Sequence, residues 1–153
     1  MKYKAHLHAS PDYQDVGVDL TAVALAVLEH EGVAAGDLTI VLTDDNAIRE
    51  LNLQYAGLDR STDVLSFEDG GLDPETNRIY YGDVIVSVPT ALQQAHTANH
   101  SLQEELTLLT VHGMLHLLGY DHAQPPDKAR MWKTQTAILR ALGLDIVLPE
   151  DAA

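Results

Sequence analysis

Three histidines fall within one short run, His112-Gly113-Met114-Leu115-His116 followed by Leu117-Leu118-Gly119-Tyr120-Asp121-His122. On a helix, residues four apart project from one face, one turn above the other. Gly119 allows a sharp turn after that helix, which brings His122 back toward the pair. Three neutral imidazoles converging in this way form a nitrogen ligand set that suits one zinc ion, with the fourth position open to water. The same donors also accept other divalent transition metals, among them nickel, copper and iron. Residues 106–118 carry no charged side chain, so their helix is expected to be buried nearly all round. A pair of hydrogen-bonded core histidines is the competing explanation for positions 112 and 116; the third histidine behind a glycine turn favours metal.

The spacing H-x3-H-x2-G-x2-H is that of the metzincin peptidases, which carry a Glu general base directly after the first His. Here that position is Gly113, which moves no proton. The pattern therefore speaks against peptidase chemistry by that route, and the site must rely on metal to activate water and polarise the substrate. Asp121 either orients a ligand imidazole or the water, or serves as a solvated turn residue. The other five histidines make weaker patterns. His96 and His100 are also four apart, but Asn99-His100-Ser101 lies between two helices, so the rings should not share a face. His6 and His8 fit an exposed strand edge, and His30 a helix C-terminus.

The elements that must position this run are legible in part. Residues 2–9 alternate as a strand, and Leu20, Val23, Ala24, Val27 and Leu28 mark a helix over 18–31 that Gly32 stops. Residues 38–42 read as a buried strand, and Thr43 before Asp44 and Asp45 as the start of a helix reaching about Tyr55. A short strand at 64–67, a loop over 68–78 and a strand over 83–88 follow. Pro89 suits the first turn of a helix to Ala98. Ser101 and Glu104 form a capping box opening the histidine helix, which should end at Gly119. A last helix runs from near Pro126 to before Gly143, with Met131, Gln135, Ile138 and Leu142 down one side. The order predicts an α+β single domain, a roughly four-stranded mixed sheet packed with about five helices, spanning 1–146 with a tail at 147–153.

Composition narrows the function classes. At 153 residues and 46% apolar the chain can bury a real core. No cysteine is present, so disulfides, thiolate metal sites and cysteine nucleophiles are excluded. No segment reads as a signal peptide or membrane span, and a cytoplasmic protein that binds no membrane is expected. The net charge of −14 opposes bulk binding to nucleic acid. The charge is uneven: residues 37–83 hold 11 acids and 3 bases, whereas 121–140 hold 2 acids and 4 bases. Lys128, Arg130 and Lys133 thus follow the histidine run as a local phosphate site or as a solvated helix face.

The histidine run, together with Leu51-Asn52-Leu53-Gln54-Tyr55, Thr62-Asp63-Val64-Leu65-Ser66-Phe67 and Gly82-Asp83-Val84-Ile85-Val86-Ser87, resembles the bacterial YbeY family of zinc-dependent endoribonucleases and rRNA maturation factors. The resemblance covers most of the chain beyond its first third. It implies that His112, His116 and His122 bind zinc, and that single-stranded RNA is cleaved in 16S rRNA processing and ribosome quality control. It implies rRNA rather than DNA as substrate, and the acidic charge makes recruitment by a ribosomal or other protein partner attractive. One departure concerns catalysis. The family's Tyr-Arg-Gly is Tyr55-Ala56-Gly57 here, so the Arg linked to catalysis is absent, while Arg60 stands in the same loop. Arg60 either clamps phosphate in its place or is an ordinary loop charge. Thr62, Asp63 and Ser66 either support the site or shape the turn and strand. Two other readings stay open: a ribosome-assembly factor without enzymatic activity whose metal is structural, and a metal-dependent hydrolase of a non-RNA substrate.

Overall fold

Alternation of apolar residues builds the sheet. In β2 (Gly36–Thr43), Leu38, Ile40 and Leu42 are fully buried and the residues between them less so. β1 (Tyr3–Ala9) lies parallel along one side of β2, and β4 (Ile79–Ser87) lies parallel along the other. β3 (Val64–Leu72) pairs antiparallel with β4 and closes the order β1-β2-β4-β3. Parallel neighbours need long crossovers. The helices are α1 (Leu20–Glu31), α2 (Asp45–Ala56), α3 (Val88–Ala98), α4 (Leu102–Leu117) and α5 (Pro125–Ala141). This computed structural model describes residues 2–145, and the expected tail at 147–153 lies outside them. The α+β architecture with a four-stranded mixed sheet and five α-helices is as predicted; a 3-10 turn at Pro11–Tyr13 adds to it.

The main core lies between the sheet and α1, α4 and α5. Val27, Leu28, Leu106, Val111, Met114 and Leu115 are fully buried there against Leu38, Ile40 and Val84. α4 packs on α1, α3, α5, β3 and β4 and is the spine of the domain. As expected for the uncharged stretch from 106 onward, it buries nearly its whole circumference there; within α4 beyond Glu105 only Leu108, His112 and His116 are half-buried. Those three face a cleft. α2 packs on β4, and Ile48 from α2 is fully buried.

Three boundaries differ from the sequence reading. Segment 68–78 is not all loop, because β3 continues to Leu72 and β4 begins at Ile79. The pairing slips between Glu68 and Gly71, and Asp69 Oδ1 accepts the Gly71 N–H there. A bulge of this kind hides a strand behind turn-forming residues. Val88 belongs to α3 rather than to the strand: Pro89 donates no ladder hydrogen bond and Ser87 Oγ accepts from the Thr90 N–H. Thr43 ends β2 opposite Ser87, and Asp44 caps α2 by accepting the Ala47 N–H at 2.9 Å.

Candidate metal centre

The Ser101–Glu104 capping box starts α4 as expected, with both reciprocal hydrogen bonds formed. His112 and His116 then leave adjacent turns of its cleft face, their ring centroids 4.7 Å apart. Beyond Leu118 the chain reverses at Gly119 (φ 95°), and the Tyr120 N–H returns to the Leu115 carbonyl at 3.0 Å. Asp121 finishes the turn: its Oδ1 accepts the His122 N–H at 2.7 Å and the Ala123 N–H at 3.2 Å. His122 is thereby swung back to 5.1 Å from His116 and 5.6 Å from His112, measured between ring centres. One ligating atom from each ring lies within 4.8 Å of the others.

The orientation of the rings suits a metal. His112 Nδ1 bonds the buried Gln135 Oε1 of α5 at 2.9 Å, and His116 Nδ1 bonds the Tyr120 carbonyl at 3.0 Å. Both oxygens accept, so each Nδ1 carries the proton and each Nε2 keeps a free lone pair. The two Nε2 atoms stand 3.2 Å apart. Two nitrogens bound tetrahedrally to zinc at its usual distance are separated by roughly 3.3 Å. Burial, and then the neighbouring His116, push the His112 pKa down to about 4. Burial, and then His122, lower that of His116. Both rings are therefore neutral at pH 7, as ligation requires.

Gly113 is required by packing. A Cβ there would fall 2.6 Å from Val84 Cγ1 and 3.2 Å from both Ser66 Oγ and Val64 Cγ2. The helix backbone comes close enough for Ser66 Oγ to donate to the Gly113 carbonyl at 2.9 Å. The general base of a metzincin has no room at this position.

The imidazoles line a cleft of about 1120 Å³. Segment 62–66 with Glu68 lines it, as do Gln93, Gln94 and Thr97 of α3. Trp132 of α5 also lines it, edge-on to His112 and His122 at 5.9 and 5.8 Å. Lys128 Nζ sits 5.6 Å from the Trp132 ring centre, whereas Arg130 covers Tyr120 at 4.6 Å and Lys133 is exposed. Among the described residues lining the cleft there is no Lys or Arg.

Thr62, Asp63 and Ser66 all reach the cleft. Arg60 is exposed two residues before it, its carbonyl held by Asn52 Nδ2 at 2.9 Å. His6, His8 and His96 are exposed, and His30 bonds its neighbour Glu31. Two features escape the sequence. Trp132 and Gln135 reach the site by helix packing, and their three-residue spacing on one helix face is the only local signal. His100, given no role above, lines the same cleft and bonds Glu105.

Comparison with known proteins gives a consistent answer. A family described as "Endoribonuclease YbeY" matches residues 8–143. "Endoribonuclease YbeY" of Moorella thermoacetica is 46% identical over 134 residues, covering 82% of this chain and 85% of that one. Its namesake from Chloroflexus aggregans is 45% identical over 141 residues, covering 85% and 92%. The solution structure of a Thermotoga maritima protein superposes with a TM-score of 0.58 at 22% identity, covering 97% of this chain and 96% of that one, and shares the fold.

Proposed function

The chain belongs to the endoribonuclease YbeY family, and from that premise we propose that it cuts single-stranded RNA at a zinc ion held by His112, His116 and His122. It is an endoribonuclease, hence a phosphodiester hydrolase. The observation that carries the site assignment is the convergence of three imidazoles on a cleft, with the outer nitrogens of two already occupied by oxygen acceptors. A divalent ion held by His112, His116 and His122 would supply Lewis acidity to activate water and to polarise the phosphoryl group.

The protein's own residues do the rest. Gln135 and the Tyr120 carbonyl lock two ring orientations, and Asp121 sets the third through the turn. Trp132 offers an apolar wall to a base or ribose beside the cleaved bond. Arg60 is the candidate for phosphate contact from the loop before Thr62, in place of the family Arg missing at Ala56. Arg49–Asp59 and Ser61–Asp45 hydrogen bonds hold that loop to α2. We assign the activity to rRNA maturation in the cytoplasm and not to DNA. The acidic charge favours recruitment by a ribosomal or other protein partner. No helix among the described residues is long and apolar enough to cross a membrane.

Metal quantitation paired with RNA cleavage tests this reading, for wild type and His116→Ala. Near-stoichiometric zinc and cleavage in the wild type, both lost in the variant, are expected. Wild-type protein that remains metal-free when supplied with zinc, or a fully active variant, would sink the assignment. Exchangeable water on a cobalt-substituted sample separates an open catalytic site from a closed structural one. Substrate RNA with a 2′-deoxy at the cleaved residue identifies the nucleophile: continued cutting assigns it to water.

A further inference from the structure

The far end of the cleft is built and has no part in the metal centre. Glu105 of α4 is 5% exposed, and its Oε1 accepts from the His100 ring Nε2 at 2.6 Å. Burying a carboxylate is costly unless it is paired, and here the pairing fixes an imidazole at the cleft wall. With Nε2 engaged, His100 Nδ1 finds no hydrogen-bond partner among the described residues. Gln93, Gln94 and Thr97, on the half of α3 that leads into His100, line the same cleft.

Distance and charge define what this end can hold. Glu105 and His112 are seven residues apart on one helix, two turns or roughly 10 Å along the axis. A group so placed cannot work on the phosphate at the metal, but it reaches the neighbouring nucleotide of a strand lying along the cleft. The acidic side chains of Asp63, Glu68 and Glu105 line the cleft without any Lys or Arg, so a second phosphate is repelled. What remains is a set of amide, hydroxyl and imidazole groups, each able to meet a base edge or a ribose hydroxyl. Unpaired RNA presents both, because its bases are free to splay out of the stack.

We propose that His100, oriented by Glu105, forms with Gln93, Gln94 and Thr97 a subsite for the unpaired nucleotide flanking the cleaved bond. It holds that nucleotide by base edge and ribose hydroxyl rather than by phosphate. The subsite rests on the endoribonuclease reading and adds its specificity element: contacts there select sequence and single-strandedness, whereas the metal centre is indifferent to both.

The test compares two substrates on the zinc-loaded protein, a single-stranded RNA oligomer and the small diester bis(p-nitrophenyl) phosphate, which is too short to reach the α3 end. The readout is the ratio of kcat/KM on oligomer to kcat/KM on diester. Each lost base-edge contact should lower it about tenfold. His100→Ala and Gln94→Ala are both expected to do so, and Glu105→Gln, which keeps an acceptor for the ring, should retain most of the ratio. Gln94→Ala leaves the buried pair untouched and so reads the subsite even where His100→Ala misfolds. An unchanged ratio in Gln94→Ala and in folded His100→Ala, whether both activities stay or both fall together, overturns the subsite. Wild type inactive on both substrates overturns the endoribonuclease reading itself, and the subsite with it.

Discussion

Gln135 touches no substrate, yet its Oε1 decides which nitrogen of His112 is free. Gln135→Leu keeps the bulk and removes the acceptor. Zinc affinity is expected to fall about 10- to 100-fold, measured by competition with a chromophoric chelator. Gly113 gives a prediction of opposite sign to the usual helix rule. Gly→Ala inside a helix ordinarily stabilises by about 1 kcal/mol. Here the new methyl meets Val84 Cγ1 at 2.6 Å inside a packed core, and overpacking costs about 1–3 kcal/mol. The clash should win, and thermal unfolding of Gly113→Ala should show a lowered midpoint. At this scale the histidine cluster was legible because everything that forms it is local: a four-residue helix spacing and a glycine turn. The residues around it were not. Gln135 and Trp132 arrive from α5, and His100 from the turn before α4 to meet Glu105 on α4 itself; no periodicity encodes which side chains those neighbours bring to the cleft.

Elements meet at Asp45 in a way that bears on the site. Its Oδ1 accepts hydroxyl hydrogen bonds from Ser61, Ser87 and Thr90, tying α2, the Arg60 loop, the end of β4 and the start of α3. Those hydroxyls, Ser87 foremost, hold the Asp45 pKa below its ordinary value of 3.8. A carboxyl with a lowered folded pKa stabilises the native state above its unfolded pKa and loses that contribution as pH falls through the folded one. Asp45→Asn should therefore cost roughly 1–2 kcal/mol at pH 7. Its melting curve should converge on that of wild type as pH drops below about 3.8, read by calorimetry across a pH series. The sequence carried nearly all element types because caps and apolar spacings are local. It cut β3 short and began β4 late, since Asp69-Gly70-Gly71 reads as a turn until a partner strand is there to bulge against.

The whole molecule is an acidic body that must meet a polyanion. With −14 overall and no Lys or Arg along the described cleft lining, the long-range field opposes RNA at low salt. Moderate salt screens that repulsion, so kcat/KM on an RNA oligomer should rise between about 20 and 150 mM monovalent salt, the reverse of a basic nuclease. A steep fall over that range, in steady-state kinetics at fixed zinc, would contradict it. The same global packing reaches back to one backbone position. The approach of α4 to the sheet at Gly113 closes the position where a metzincin carries its Glu: the new Cβ would press on Val84 Cγ1, with Ser66 and Val64 close behind it. Room for change in what is cut therefore lies in the cleft walls, while position 113 of the ligand helix is shut to any larger side chain by the sheet beneath it.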